Sequence, residues 1–316
     1  MPRGDPQALR QRVETFLCSA LGSGTQERYK KAVSDFTAEC AADGLDLHQV
    51  ADADLDYLLA DRVVDYYEEH DGAEGLASAG VLLAAFQKSR PQHRFRVGWK
   101  AVDVWRVRCP PQQAPCFPAA LALACVSWLT LARRIPEACA VLLCYTGLLR
   151  ASEACNLRWK DVHAIDDQIV LLLGRTKRGL EQRVLLSHPA TVAWMRHFMM
   201  MFACKDVDAY FTGCSYNRLA RWLQKACDAL GFGGVRWTSH GLRRGGATEL
   251  MMQGMSLPDI MLRGRWLSER SCREYLRRGE VMMLRLRADI ASDDWQRLQV
   301  LASLGVSAFE SDEPSG

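Results

Sequence analysis

Apolar residues recur at helical spacing through most of this chain. Tyr29, Val33, Phe36 and Cys40 follow Gly24-Thr25-Gln26-Glu27, which opens a helix that Gly44 ends. Helical patterns continue from Asp54 to His70 and from Ser78 to Lys88. No alternating strand pattern precedes Arg108, so residues 1–108 predict a small helical domain behind an irregular lead over 1–22. Between Cys109 and Pro118, Pro110, Pro111, Pro115 and Pro118 remove amide donors and fix φ. That stretch predicts an extended linker and the domain boundary. Helices return at about 119–132, 136–146 and 151–157, with Gly147 stopping the second. Gln168 to Leu173 and Gln182 to Leu186 are β-rich, and the turn residues between them predict a hairpin with Lys177 at its tip. Helical spacing then recurs at about 189–203, 215–230, 240–253, 257–263, 269–278 and 280–303. Ser239 and Ser268 stand where they can cap two of these helices, and Gly254 can close one. The polar stretch 304–316 reads as a disordered tail. The expected fold class is mainly α with a small β-sheet (α+β), in two domains covering 1–108 and 119–303.

Charge alters this picture more than composition does. The net charge of the 316 residues is only +3, and hydrophobic residues make up 49%. Residues 140–280, however, hold 21 Lys and Arg against 13 Asp and Glu, while 1–139 and 281–316 are net acidic. A basic segment suits a polyanion, because Lys and Arg displace counterions from phosphates. The longest apolar stretch, Phe117 to Ala132, is broken by Pro118, Ser127 and Thr130, so no membrane span or secretory signal is expected. The twelve cysteines are scattered without a Cys-x-x-Cys pair. They read as small buried hydrophobes in a reducing, intracellular compartment.

The basic segment also concentrates the candidate chemistry. Thr146-Gly147-Leu148-Leu149-Arg150-Ala151-Ser152-Glu153, Gly174-Arg175-Thr176-Lys177, His240-Gly241-Leu242-Arg243-Arg244 and Gly264-Arg265-Trp266 followed by Tyr275 occur in that order. Transfer of a phosphodiester needs a nucleophile, a protonated leaving group and donors for the non-bridging oxygens. Arg150 and Arg243 suit the last task, since a guanidinium stays charged and its planar fork matches phosphate. Lys177 suits protonation of a leaving oxygen, and His240, three residues before Arg243, can take or share a proton. Tyr275 is the candidate nucleophile; its phenol, with an ordinary pKa of about 10, needs cationic neighbours to react near pH 7. Taken singly, each residue has a plainer reading as a packing, capping or turn residue, and it is the ordered set that points to phosphoryl transfer. Asp166-Asp167 and Asp293-Asp294 are more simply turn and helix-start residues than metal ligands, and no nucleotide-binding or zinc motif occurs.

Together these four boxes resemble the catalytic motifs of the tyrosine recombinase (phage integrase) family. The likeness covers roughly residues 119–280, and the helical segment before the linker resembles that family's core-binding, DNA-clamping domain. The resemblance implies phosphate binding by Arg150 and Arg243, leaving-group protonation by Lys177, acid–base work by His240 and nucleophilic attack by Tyr275. It places Trp266 at a position that is His in many members, and makes Glu153 a buttress behind the site. Leu149 departs from the usual spacing between glycine and arginine. The resemblance implies site-specific cutting and rejoining of double-stranded DNA through a 3′-phosphotyrosine, by a homotetramer on two DNA sites, without cofactor or metal. The protein would work with DNA inside the cell, in the nucleus if the host is eukaryotic. Readings kept beside it are type IB topoisomerase-like relaxation, a catalytically silent DNA-binding protein derived from a mobile element, and a helical interaction scaffold.

Overall fold

In the computed structural model, residues 22–69, 75–110, 115–174 and 182–273 are described, with Leu9, Arg12, Val13, Phe16 and Leu276. The chain divides into two units, Met1–Gln112 and Gln113–Gly316.

The first unit holds four described helices: α1 (Ser23–Ala42), α2 (Asp52–Glu69), α3 (Leu76–Ser89) and α4 (Arg96–Arg108). Their apolar stripes meet in a core that includes Phe36, Leu55, Leu59, Leu83, Phe86, Phe95, Val102 and Trp105. Each such fully buried side chain contributes about 1.5–3 kcal/mol. The start of α4 is fixed by Asp56, a buried carboxylate on α2 that accepts from the backbone N–H of Val97 and Gly98, each at 3.0 Å. A negative charge there meets unpaired amides and the positive end of the helix dipole.

The second unit is mainly helical around one small sheet. Its helices are α5 (Ala119–Leu131), α6 (Ile135–Thr146), α7 (Ala151–Asn156), α8 (Pro189–Met201), α9 (Tyr216–Ala229), α10 (Ser239–Met252), α11 (Leu257–Gly264) and α12 (Glu269–Arg273). The α6 helix is buried from Glu137 to Tyr145, as expected of a helix that is apolar all round. A three-stranded antiparallel sheet has the order β1 (Val162–Ile165), β2 (Gln168–Leu173), β3 (Gln182–Leu186). Its register pairs Val170 with His163 on one side and Leu185 on the other. Ile169, Leu171 and Leu173 alternate inward with Val184 and Leu186 onto a core shared with Trp194 and Phe198. The hairpin is where the sequence places it, with a third strand added at its edge. Lys177, expected at the hairpin tip, lies outside the described residues, as do Asp293-Asp294 and the segments 280–303 and 304–316.

The α10 helix, which carries His240 and Arg243, approaches its neighbours through glycines. A Cβ on Gly241 would stand 2.4 Å from the Pro115 carbonyl oxygen, one on Gly245 2.1 Å from the Phe117 oxygen, and one on Gly246 2.1 Å from the Tyr145 oxygen. The last residues of the proline-rich stretch are therefore packed against this helix: Cys116 and Phe117 are buried, and the Phe117 N–H donates to the Gly241 carbonyl at 3.2 Å. Because the obstacles are backbone atoms that no rotamer change can clear, Gly245→Ala is expected to destabilise the protein by about 2–3 kcal/mol, read from chemical denaturation. A transition unchanged within 0.5 kcal/mol, taken as about the scatter of neutral surface changes, would contradict this packing. The cap of α10 is Thr238, whose hydroxyl accepts from the Gly241 N–H at 3.3 Å, and not the expected Ser239, which is the first helical residue. Ser268 accepts from the Ser271 N–H at 3.2 Å at the start of α12, and Gly254 ends α10 with φ at 91°.

Among the described residues the cysteines are free thiols, most of them buried in these apolar clusters. No helix among those residues is long and apolar enough to cross a membrane.

Candidate active site

Arg150 is placed by a sharp change of chain direction between α6 and α7. Gly147 ends α6, and Leu148 then adopts left-handed backbone with φ at 50°. For a residue with a Cβ that conformation costs about 1–2 kcal/mol. Arg150, extended at φ −70° and ψ 151°, becomes the residue before the first turn of α7. Its N–H donates to the Glu153 carboxylate at 2.8 Å, the backward half of a capping box. Its guanidinium also reaches Glu153, at 2.6 Å, yet 41% of the side chain is exposed, so it presents an open face.

Arg243 stands on α10 beneath that face. Its side chain is 1% exposed, with one terminal nitrogen donating to the Leu148 carbonyl at 2.7 Å and the other to the Gly264 carbonyl. Trp266 covers it, with the guanidinium carbon 4.7 Å from the ring centroid, a cation–π contact. Gly264 makes that cover possible, since a Cβ there would fall 1.7 Å from the indole. Trp266 in turn packs with Leu148, Ala247, Ile260 and Cys272.

Glu153 joins the parts. Its side chain is only 11% exposed, and besides Arg150 it meets Arg265 at 2.7 Å and Arg243 at 3.7 Å. Burial pushes its carboxyl upward, but Arg265 and the bonds from Arg150 outweigh burial and hold it below the ordinary range. One carboxylate thus faces three guanidiniums, and Arg244 lies buried on α10 beside Arg243. The surplus is positive, which is the electrostatic requirement of an anion site.

His240 feels that surplus. The residue is exposed by area, but partial desolvation of the ring, followed by the charges of Arg243, Arg244 and Arg150, lowers its pKa. It is therefore neutral near pH 7 and able to accept a proton. Since the unfolded chain binds the proton more readily, His240 lowers stability as pH falls below its unfolded value of about 6.5. An NMR titration of the His240 ring should show a midpoint below 6.5 in the free protein, moving upward when inorganic phosphate is added, because a bound anion favours the imidazolium. A midpoint that ignores phosphate would separate His240 from the anion site.

The structure therefore brings together Arg150, Glu153, Arg243, Trp266 and, electrostatically, His240. Lys177 and Tyr275 lie outside the described residues. Two contributors escaped the sequence reading. Arg244 stood in the quoted motif without a role, and Arg265 sat between Gly264 and Trp266; a charged residue directly after a helix-ending glycine was the only signal.

Three comparisons bear on this arrangement. Residues 126–280 match the model of the phage integrase family. A lambda integrase dimer bound to a COC′ core site superposes with a TM-score of 0.58 at 16% identity, over 85% of this chain and 94% of that one. The Tn1549 transposon integrase in complex with circular intermediate DNA gives 0.57 at 16% identity, over 81% and 90%. A lambda integrase tetramer bound to a Holliday junction gives 0.55 at 15%, over 85% and 76%. At such identities the likeness is one of fold. No curated protein matches this chain. The segment 126–280, which carries the Arg150, Glu153, Arg243 and Trp266 cluster, belongs to the phage integrase family, and the chain shares the fold of the lambda and Tn1549 integrases.

Proposed function

We infer that this protein is a site-specific DNA recombinase that cuts and rejoins strands through a covalent 3′-phosphotyrosine. The observation that carries this reading is the cluster of Arg150, Arg243 and Arg265 around the single carboxylate of Glu153, with His240 at its edge. Arg150 meets the scissile phosphate at the surface, while Arg243 supplies charge from beneath it and Trp266 excludes water from that guanidinium. Such preorganised donors are worth most where water is absent. The Tyr275 oxygen attacks phosphorus, passing its proton towards neutral His240, and the bond to the 5′ oxygen breaks as Lys177 protonates the leaving hydroxyl. A 5′ hydroxyl from a partner duplex then attacks the phosphotyrosine and releases Tyr275. The number of ester bonds is conserved, so no external energy source enters the balance.

The helical first unit serves as a second DNA-binding body, so that the duplex is held by both units, and four copies act on two sites. The lambda integrase tetramer on a Holliday junction supports that assembly as the working form. The test is to incubate the protein with fragmented host DNA, denature, recover the covalently attached fragments and sequence them. A recurring short site on those fragments is expected. Relaxation of supercoiled plasmid with no site preference and no strand exchange would make the protein topoisomerase-like. DNA binding without any covalent fragment would leave a silent DNA-binding protein.

A further inference from the structure

Arg265 follows α11 in left-handed backbone, φ 59° and ψ 41°, a conformation that glycine adopts without strain and an arginine does not. The strained arginine is held by its own side chain. That side chain is 5% exposed, and one terminal nitrogen donates to the Glu153 carboxylate at 2.7 Å and to the Leu148 carbonyl at 3.1 Å. Both partners are shared: Glu153 also receives Arg150, and the Leu148 carbonyl also receives Arg243. Arg265 thus ties the loop that presents Arg150 to the segment that carries Trp266.

Charge makes the tie consequential. Without Arg265, the Glu153 carboxylate would be left with Arg150 as its close partner, since Arg243 stands at 3.7 Å. A buried carboxylate lacking a second cation draws the remaining one inward and cancels more of its field. Arg150 would then offer less to an incoming anion. We propose that Arg265 is a positioning residue for phosphate binding: by holding Glu153 it keeps the Arg150 guanidinium facing outward and only partly neutralised. The identity of that phosphate, a scissile DNA phosphate, rests on the recombinase reading; the anion affinity itself does not.

The experiment separates the two. Full-length wild type and the variants Arg265→Gln, Arg265→Lys and Arg265→Gly are titrated with inorganic phosphate, read by calorimetry and by the His240 ring signals. Each is also assayed for adduct formation on the fragments trapped by the wild type. Gln should weaken phosphate binding about tenfold, the scale of one lost cation at a partly exposed site. Lys should stay within about threefold of wild type, because an ammonium can still pair with Glu153. Gly, which relieves the backbone at the end of α11, should bind as poorly as Gln despite a melting temperature no lower than that of the Gln variant. A merely structural role for Arg265 would not produce that separation of stability from anion affinity. If the Gln variant fails to fold, the Lys and Gly variants decide the matter in the same way. A folded Gln or Gly variant binding phosphate like the wild type, a Lys variant no better than these, or a wild type that binds no phosphate would each overturn the proposal. A wild type that binds phosphate and forms no adduct with any DNA would instead overturn the recombinase reading and leave Arg265 its role.

Discussion

Tyr275→Phe is expected to abolish the covalent protein–DNA adduct while leaving DNA affinity within about twofold. The substitution removes one oxygen and keeps the ring, so whatever packing the ring makes is preserved. The oxygen is the proposed nucleophile, and no covalent intermediate can form through a phenyl ring; loss should exceed about a thousandfold, the scale seen when the central member of a catalytic set is removed. Affinity should persist because it arises from cations along the duplex, and a neutral phenol releases no counterions. The check is a denaturing gel for adduct beside a mobility shift at two salt concentrations. An adduct that survives the change would remove Tyr275 from the reaction. Loss of binding together with the adduct would mean that the phenol helps to fold the protein. On either side of that position, Cys272 and Leu276 pack into the cluster that also holds Trp266 and Leu148. Chain on both sides of Tyr275 is thereby tied to the floor of the arginine site.

What the sequence disclosed, and what it did not, follows the range of the interactions. Helices whose burial is written as spacing were legible: Ala119–Leu131, Ile135–Thr146 and Tyr216–Ala229 fall within a residue or two of their expected bounds. The hairpin strands were legible because apolar alternation and turn residues are both local. The edge strand Val162–Ile165 was not, since only Val162 of its residues is buried and its pairing with Gln168–Leu173 leaves almost no pattern. Helix Arg96–Arg108 was not singled out either, although its buried Gly98, Val102 and Trp105 recur at helical spacing; its start depends on Asp56, some forty residues earlier. Within the site, Arg150, Arg243 and Glu153 could be named from their motifs. That Arg243 would lie under Trp266 and not at the surface could not, because its burial comes from chain segments brought together only by folding. Arg265 escaped for the same reason: its partner Glu153 is 112 residues away, and no spacing rule spans that distance.

Glu153→Ala should be the most destabilising single change at the site, by about 3–5 kcal/mol in chemical denaturation, the usual cost of removing one partner from a buried ionic group. Three guanidiniums would be left facing one another around an empty place, two of them with almost no solvent to screen them. Glu153→Gln should cost less than Ala, since an amide oxygen can still accept from the Arg150 N–H or from Arg265 while the charge is lost. The two variants also separate charge from shape through pH. The Glu153 carboxyl is held below its ordinary value in the folded protein, so the folded state binds that proton less readily than the unfolded chain does. Its contribution is therefore fully present above the unfolded value of about 4.3 and is lost as pH falls through the lower folded one. Wild type should lose stability more steeply than Glu153→Gln on acidification below about pH 4.3, and the two curves should converge at the acid end. Parallel curves across that window would show that Glu153 serves by shape alone. Phosphate reverses the balance on the other side of the cluster: an anion bound at Arg150 supplies part of the missing negative charge. Added phosphate should accordingly recover more stability in Glu153→Ala than in wild type, whereas equal stabilisation of both would mean that the anion and Glu153 do not share the same arginines.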